Sequence, residues 1–185
     1  MNVAPTISTI VDRAINDDAP GEPISFVVGD PETPAGNLLV SGSSSNPTLV
    51  PGDNIVFGGS GSDRTVMVTP ARDQFGTSII TLLVTDAQGA SATDSFVLTV
   101  NPVNDAPAPF DISDQITSED VAAGPIAFTV GDAETAAGDL VLSGVSSNPG
   151  LLPDGEILFG ESGSNRTVVL RPATRSEERR VGKEC

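Results

Sequence analysis

The chain repeats itself, and the length of the repeat limits the folds open to it. "PISFVVGDPETPAG" from Pro23 returns as "PIAFTVGDAETAAG" from Pro125, a displacement of 102 residues. "SSNPTLVP" from Ser44 returns as "SSNPGLLP" from Ser146, and "GSGSDRTV" from Gly59 aligns with "ESGSNRTV" from Glu161, at the same displacement. From Pro23 to Ala71 no gap is needed, and 30 of 49 positions are identical. A solenoid repeat is roughly 20–50 residues long, so a unit of this size is a whole domain and the chain is a tandem array. "APTIS" at Ala4 aligns with "APAPF" at Ala106, which puts the repeat boundary at "NDAP". The expected organisation is repeat 1 over residues 1–102 and repeat 2 over 103–174.

Composition says what each repeat is made of. Of 185 residues none is His, Trp or Tyr, and the single Cys is the last residue. Disulfide stapling, Cys or His zinc sites and a histidine base are therefore excluded. Any core must be built from Val, Ile, Leu and seven Phe. The formal net charge of −16 disfavours nucleic acid and anionic membranes and attracts cations. No apolar run approaches the roughly 20 residues that span a bilayer. The start, "MNVAPTIST", has neither a basic nor an apolar leader segment.

Short alternating apolar runs between Gly, Pro, Asn, Asp and Ser clusters predict strands near 6–11, 23–28, 38–41, 48–50, 54–57, 64–69, 79–85 and 92–100. Seven or eight short strands in about 100 residues fit an all-β, Greek-key sandwich. The expected inward positions are Phe26, Val28, Leu38, Val66, Val68, Ile80, Leu82, Val84, Phe96, Leu98 and Val100.

Repeat 2 follows this pattern only as far as Thr174, where "RSEERRVGKEC" begins. Before Arg175 there are five arginines and no lysine, whereas the last eleven residues hold four of the nine basic residues and the only Cys. The string resembles a translated sequencing-library adapter, and residues 175–185 are expected to be a non-native tail outside the fold. Repeat 2 then lacks counterparts of strands 79–85 and 92–100, so its half-core and sheet edges should be exposed and the repeat unstable as written. "NVAP" at the start aligns with the linker "NDAP", so the chain reads as an internal fragment of a longer protein.

Several motifs invite chemistry. "GGSGSD" from Gly58 resembles one turn of a calcium-binding β-roll, but that site needs stacked copies, and a glycine-rich turn before a strand is the better reading. "NRT" at Asn165 is a formal glycosylation sequon that repeat 1 does not share. Asp30 with Glu32, or Asp17 with Asp18, could form a glycosidase pair, yet without Trp or Tyr no sugar platform accompanies them, so no enzyme is expected. Asp30 and Glu32, with Asp132 and Glu134, follow a strand as V-G-D-x-E-T. Alternate positions of extended chain face one side, so both carboxylates can converge on a hard cation. Equally, they can bond local backbone N–H groups in a polar turn.

Together, "VNPVNDAP" at the repeat end, "ITSED" at Ile116, "FTVGDAET" at Phe128 and "VTDAQG" at Val84 resemble the cadherin-like, immunoglobulin-fold tandem repeats of large bacterial surface proteins and adhesins. The resemblance covers both repeats up to Thr174. It implies calcium held between consecutive repeats by an early acidic residue, an acidic motif before the penultimate strand, an acidic linker and a D-x-D of the next repeat. Carried over, the early position is Asp17 in repeat 1 and Glu119 in repeat 2. A looser match at "ARDQ" gives Asp73. The linker supplies Asn101, Asn104 and Asp105, and the D-x-D becomes Asp132 and Glu134. Asn101 stands where the family has Asp, and Ala106 where it has the last Asn, so the junction carries fewer charges. Asp30 and Glu32 would serve the preceding junction, where Val3 replaces the linker aspartate.

The implied function is a calcium-stiffened structural spacer at a bacterial cell surface or in a secreted adhesin. Its partners would be neighbouring repeats of the same chain, with cell-surface or carbohydrate ligands reached through other domains, and without nucleic acid or membrane insertion. Two alternatives stay open: a calcium-independent structural repeat, and a sandwich module that itself binds carbohydrate or another cell-surface ligand.

Overall fold

A computed structural model describes residues 1–17, 19, 21–108, 112–118 and 120–174. Asp18, Glu119, Pro109 and the whole 175–185 tail lie outside the described residues. The chain divides into two compact units, Met1–Asn104 and a second beginning at Asp105.

Unit 1 is a two-sheet β-sandwich. Its strands are β1 (Thr6–Ile7), β2 (Arg13–Asn16), β3 (Ile24–Gly29), β4 (Leu39–Ser44), β5 (Ile55–Ser60), β6 (Asp63–Val68), β7 (Gly76–Thr85) and β8 (Ser91–Asn101). One sheet has the order β1-β3-β6-β5 and the other β2-β8-β7-β4. Neighbours are antiparallel except β2 and β8, which run parallel. The chain changes sheet between β1 and β2, β2 and β3, β3 and β4, β4 and β5, and β6 and β7, which gives the Greek-key connectivity of an all-β sandwich.

Alternation produces the core. Along β7, Ser78, Ile80, Leu82 and Val84 face inward, and along β8, Phe96, Leu98 and Val100 do the same. All eleven expected inward residues are buried, and Ile10, Leu49, Val50 and Ile55 join them. Gly42 keeps the sheets close, because a Cβ there would meet Ile55 Cγ2 and Phe57 Cζ at 3.0 Å.

Two strand expectations need correction. The run 6–11 is not one strand: β1 pairs with β3, whereas β2 pairs with β8 in the opposite sheet. The crossing segment is pinned by carboxylates in place of a backbone ladder. Asp94 Oδ2 accepts the Ile10 amide at 2.7 Å, and Asp12 Oδ1 accepts the Val97 amide at 2.8 Å. The run 48–50 is a turn. Asn46 Oδ1 accepts the Leu49 amide at 3.2 Å, and the Asn46 carbonyl accepts the Val50 amide at 2.9 Å. Leu49 and Val50 are adjacent and both buried, which a strand with side chains on opposite faces cannot provide.

Among the described residues, unit 2 has three strands, β9 (Ala123–Thr129), β10 (Ile157–Gly160) and β11 (Asn165–Leu170), in the order β10-β11-β9. They correspond to β3, β5 and β6 at the 102-residue displacement. Among the described residues, the counterparts of β2 and β4 are not strands, and nothing corresponds to β7 and β8. Buried residues among those described are Arg166 and Val168 alone. Arg166 spans the loops, donating to the carbonyls of Ala137, Leu140 and Glu161 at 2.7, 3.3 and 3.0 Å. Among the described residues, no helix is long and apolar enough to cross a membrane.

Candidate functional site

Both units build the same acidic turn after their first long strand. In unit 1, β3 ends in Gly29 and the chain turns through Asp30, Pro31, Glu32 and Thr33. Asp30 Oδ1 accepts the amides of Glu32 at 2.9 Å and Thr33 at 2.5 Å, closing an Asx-type turn. Glu32 Oε2 then reaches back to the amide of Val3 at 3.3 Å. In unit 2, Asp132 Oδ1 accepts the amides of Glu134 at 3.1 Å and Thr135 at 2.6 Å. Glu134 Oε2 accepts the amide of Asp105, the counterpart of Val3, at 3.1 Å. Each glutamate thus ties its turn to the incoming segment of its own unit.

One oxygen in each turn remains unused. Asp30 Oδ2 and Glu134 Oε1 are buried and have no hydrogen-bond partner among the described residues. Buried carboxylate oxygens are ordinarily satisfied, so these two stand out.

Asp86 belongs to the same end of unit 1 and was not singled out from the sequence. It follows the last residue of β7, is 4% exposed, and its Oδ1 accepts the amides of Gln88 at 2.9 Å and Ala90 at 2.8 Å. Its Oδ2 accepts Asn2 Nδ2 at 2.8 Å. Burial works to raise its pKa, but hydrogen bonds from the Asn2 side chain and the amides of Ala90, Gln88 and Gly89 outweigh it and hold the carboxyl below its ordinary value. The Thr33 hydroxyl donates to Gln88 Oε1 at 3.3 Å, so the Asp86 loop and the Asp30 turn are neighbours. The signal in the sequence was a buried-type Asp closing the β7 alternation in "VTDAQG", which reads locally as a plain turn.

The remaining expected ligands fall into two places. Asp17 lies at the end of β2, where its amide donates to the Asn101 carbonyl at 3.1 Å and its Oδ1 accepts the Val103 amide at 3.0 Å. Asp17 and Asn101 are therefore together, with Asp17 gripping the segment that leaves β8. Asn104 is the exposed last residue of unit 1. Asp73 lies in the turn between β6 and β7 that leads into Gly76, the residue opposite Val100, at φ 56°, with its carboxylate 3.6 Å from Arg72 Nε. In unit 2, Asp105, Asp132 and Glu134 are linked by the bonds above. Among the described residues no three or more His, Cys, Asp or Glu side chains converge closely enough to hold a metal ion. The donor chemistry, all carboxylate, amide and carbonyl oxygen, is that of a hard cation.

The glycine-rich stretch from Gly58 is the β5–β6 hairpin. Gly59 adopts φ 81°, and a Cβ there would lie 2.3 Å from the Asp63 carbonyl oxygen. The reading as a turn before a strand is the one the structure shows.

No protein-family model matches the sequence, and no curated protein matches it. Among solved structures, the chain is similar to protocadherin gamma B2 extracellular cadherin domains 1–5, at 13% identity and a TM-score of 0.48, covering 93% of this chain and 33% of that one. The human desmocollin-1 ectodomain is similar at 16% identity and a TM-score of 0.45, covering 96% and 32%. The titin domains z1z2, solved in complex with telethonin, are similar at 13% identity and a TM-score of 0.40, covering 94% and 84%.

Proposed function

We propose that this chain is a structural spacer from a tandem β-sandwich array of adhesion type, working outside the cell or at a bacterial surface, and that calcium stiffens the array at its repeat junctions. The observation that carries the calcium reading is the repeated V-G-D-x-E-T turn. It recurs with the same hydrogen bonds in both units and leaves in each a buried carboxylate oxygen, Asp30 Oδ2 and Glu134 Oε1, with no hydrogen-bond partner among the described residues. A cation would satisfy those oxygens. Calcium takes about six to eight oxygen ligands at about 2.3–2.6 Å, more than either turn offers alone. The reading therefore draws on Asp17, Asp73, Asn101 and Asn104 with Asp105, Asp132 and Glu134. The bound ion would supply charge neutralisation and cross-linking, and the side chains would supply the oxygens.

A second reading has its own support. Asp17, Asp30, Asp132 and Glu134 each already accept at least one backbone amide, which is what a calcium-independent structural turn requires. Calcium titration of the chain, followed by thermal melting and by the scattering-derived maximum dimension, separates the two. The spacer reading expects a rise in melting temperature and a longer, narrower distribution of lengths, both lost in Asp132→Ala. An unchanged melt and unchanged length at millimolar calcium would overturn the calcium reading and leave the plain structural repeat.

A further inference from the structure

The two V-G-D-x-E-T turns differ in the residue after the aspartate, Pro31 in unit 1 and Ala133 in unit 2. Asp30–Pro31 is the one Asp–Pro bond of the chain. An X–Pro bond is a tertiary amide, and its nitrogen is a more basic leaving group than that of an ordinary peptide.

The turn places a nucleophile beside this bond. Asp30 Oδ1 accepts the amides of Glu32 at 2.9 Å and Thr33 at 2.5 Å. Each hydrogen bond closes a ring that contains the Asp30 carbonyl carbon and the Pro31 nitrogen, so the side-chain carboxyl is held against the peptide bond that follows it. Oδ2 is left with no hydrogen-bond partner among the described residues. Unit 2 forms the same two bonds, from Glu134 at 3.1 Å and Thr135 at 2.6 Å to Asp132 Oδ1. There the buried oxygen left over belongs to Glu134 rather than to the aspartate. Pro31 is exposed, so water reaches the bond.

We propose that Asp30–Pro31 is a self-cleaving bond, an intramolecular hydrolytic activity that unit 1 has and unit 2 lacks. Asp30 Oδ2 attacks the Asp30 carbonyl carbon and closes a five-membered cyclic anhydride. The C–N bond breaks, and its electron pair stays on the Pro31 nitrogen, which takes a proton from solvent and leaves as a secondary amine. Water then opens the anhydride, restoring the side-chain carboxyl and leaving an α-carboxyl on Asp30. One water is consumed per bond. Holding the attacking oxygen at its target is what the turn contributes. No cation takes part, so the activity does not rest on the calcium reading.

The cut leaves the unit assembled. Residues 1–30 carry β1, β2 and β3, and β3 stays paired with β6 from Ile24↔Val66 to Val27↔Asp63, as β2 does with β8. Phe26 and Val28 stay in the core. Tension along the chain would then pass through sheet contacts where a covalent bond had carried it.

The test incubates the full chain in mildly acidic buffer with chelator and reads denaturing electrophoresis and intact mass. The expected result is two fragments, 1–30 and 31–185, that elute together under native conditions. The chain unfolded in guanidinium at the same pH loses the turn and should be cut about tenfold more slowly or less. Pro31→Ala copies the unit 2 sequence, whose turn keeps its hydrogen bonds, so it should fold and remain uncut. Three results would overturn the proposal: no fragments, equal rates in the folded and unfolded chain, or cleavage at Asp132–Ala133 as fast as at Asp30–Pro31.

Discussion

Leu49 and Leu151 occupy equivalent positions in nearly identical sequence, yet one is 1% exposed and the other 62%. The same contrast holds for Ile10 and Ile112, at 5% and 41%. Local sequence does not account for it. What differs is that unit 1 has β7 and β8 over its core and the described part of unit 2 has no such strands. The effect reaches the backbone. Segment 39–44 is a strand because β7 pairs with it, and segment 141–146, with a similar pattern, is not. Strand state at a sheet edge is a property of the partner as much as of the residues, because an unpaired edge gains nothing from extended geometry. The three strands kept by unit 2 are those whose partners are all present: β11 pairs with both β9 and β10.

The comparison is broken most forcefully at the paired phenylalanines. Phe26 is 2% exposed and walled in by both sheets, so Phe26→Ala should destabilise unit 1 by about 3–5 kcal/mol. Phe128 is its counterpart but is half-buried, with an edge-on contact to Phe159 at 6.3 Å between ring centroids. Phe128→Ala should cost unit 2 less, about 1–3 kcal/mol, the edge-on pair adding about 1 kcal/mol to the loss of a partly buried ring. Native-state hydrogen exchange reads each unit separately within one chain. Equal costs would mean that unit 2 possesses a closed core after all.

Acid should separate the units next. Asp86 is held below its ordinary pKa in the folded chain, so it contributes stability above the unfolded carboxylate value, and that contribution is lost as pH falls through the lower folded value. Unit 1 should therefore lose melting temperature on acidification, and Asp86→Asn should flatten part of that slope while lowering stability at neutral pH. Asn2→Ala should flatten it less, since it removes one of four hydrogen-bond donors. An Asp86→Asn variant with the wild-type pH profile would show that other carboxylates govern acid unfolding.

Period-two alternation made most of the unit 1 core legible, because β3, β6, β7 and β8 each keep one face buried along their length. Ile10, Leu49 and Val50 escaped because they lie where no strand runs, in the crossing between sheets and in the turn closed by Asn46. The repeat made the V-G-D-x-E-T turns visible twice, and the alternative of a backbone-bonded turn was visible with them. Asp86 was not, since its role depends on Asn2, which is 84 residues distant in the chain. Asp73 was placed by its position before a strand, whereas its surroundings, the left-handed turn and Arg72, follow from contacts that spacing does not encode.

The smallest effect tests whether the units differ in backbone as well as in cover. Where unit 1 has Gly59 at φ 81°, unit 2 has Glu161 at φ 66°. A side chain in the left-handed region costs about 1–2 kcal/mol per residue. Arg166 helps to hold Glu161 there by donating to its carbonyl at 3.0 Å, while in unit 1 Arg64 donates to Gly61 instead, at 2.9 Å. Glu161→Gly should therefore stabilise unit 2 by about 1 kcal/mol, offset in part by the added freedom of glycine in the unfolded chain. The reverse change, Gly59→Glu, should cost unit 1 about 1–3 kcal/mol, because the new Cβ would press on the Asp63 carbonyl. Local exchange rates at the β10–β11 and β5–β6 hairpins read both. If Glu161→Gly instead loosens its hairpin, the glutamate is supported by a contact that outweighs its backbone strain, and the two hairpins are not equivalent turns.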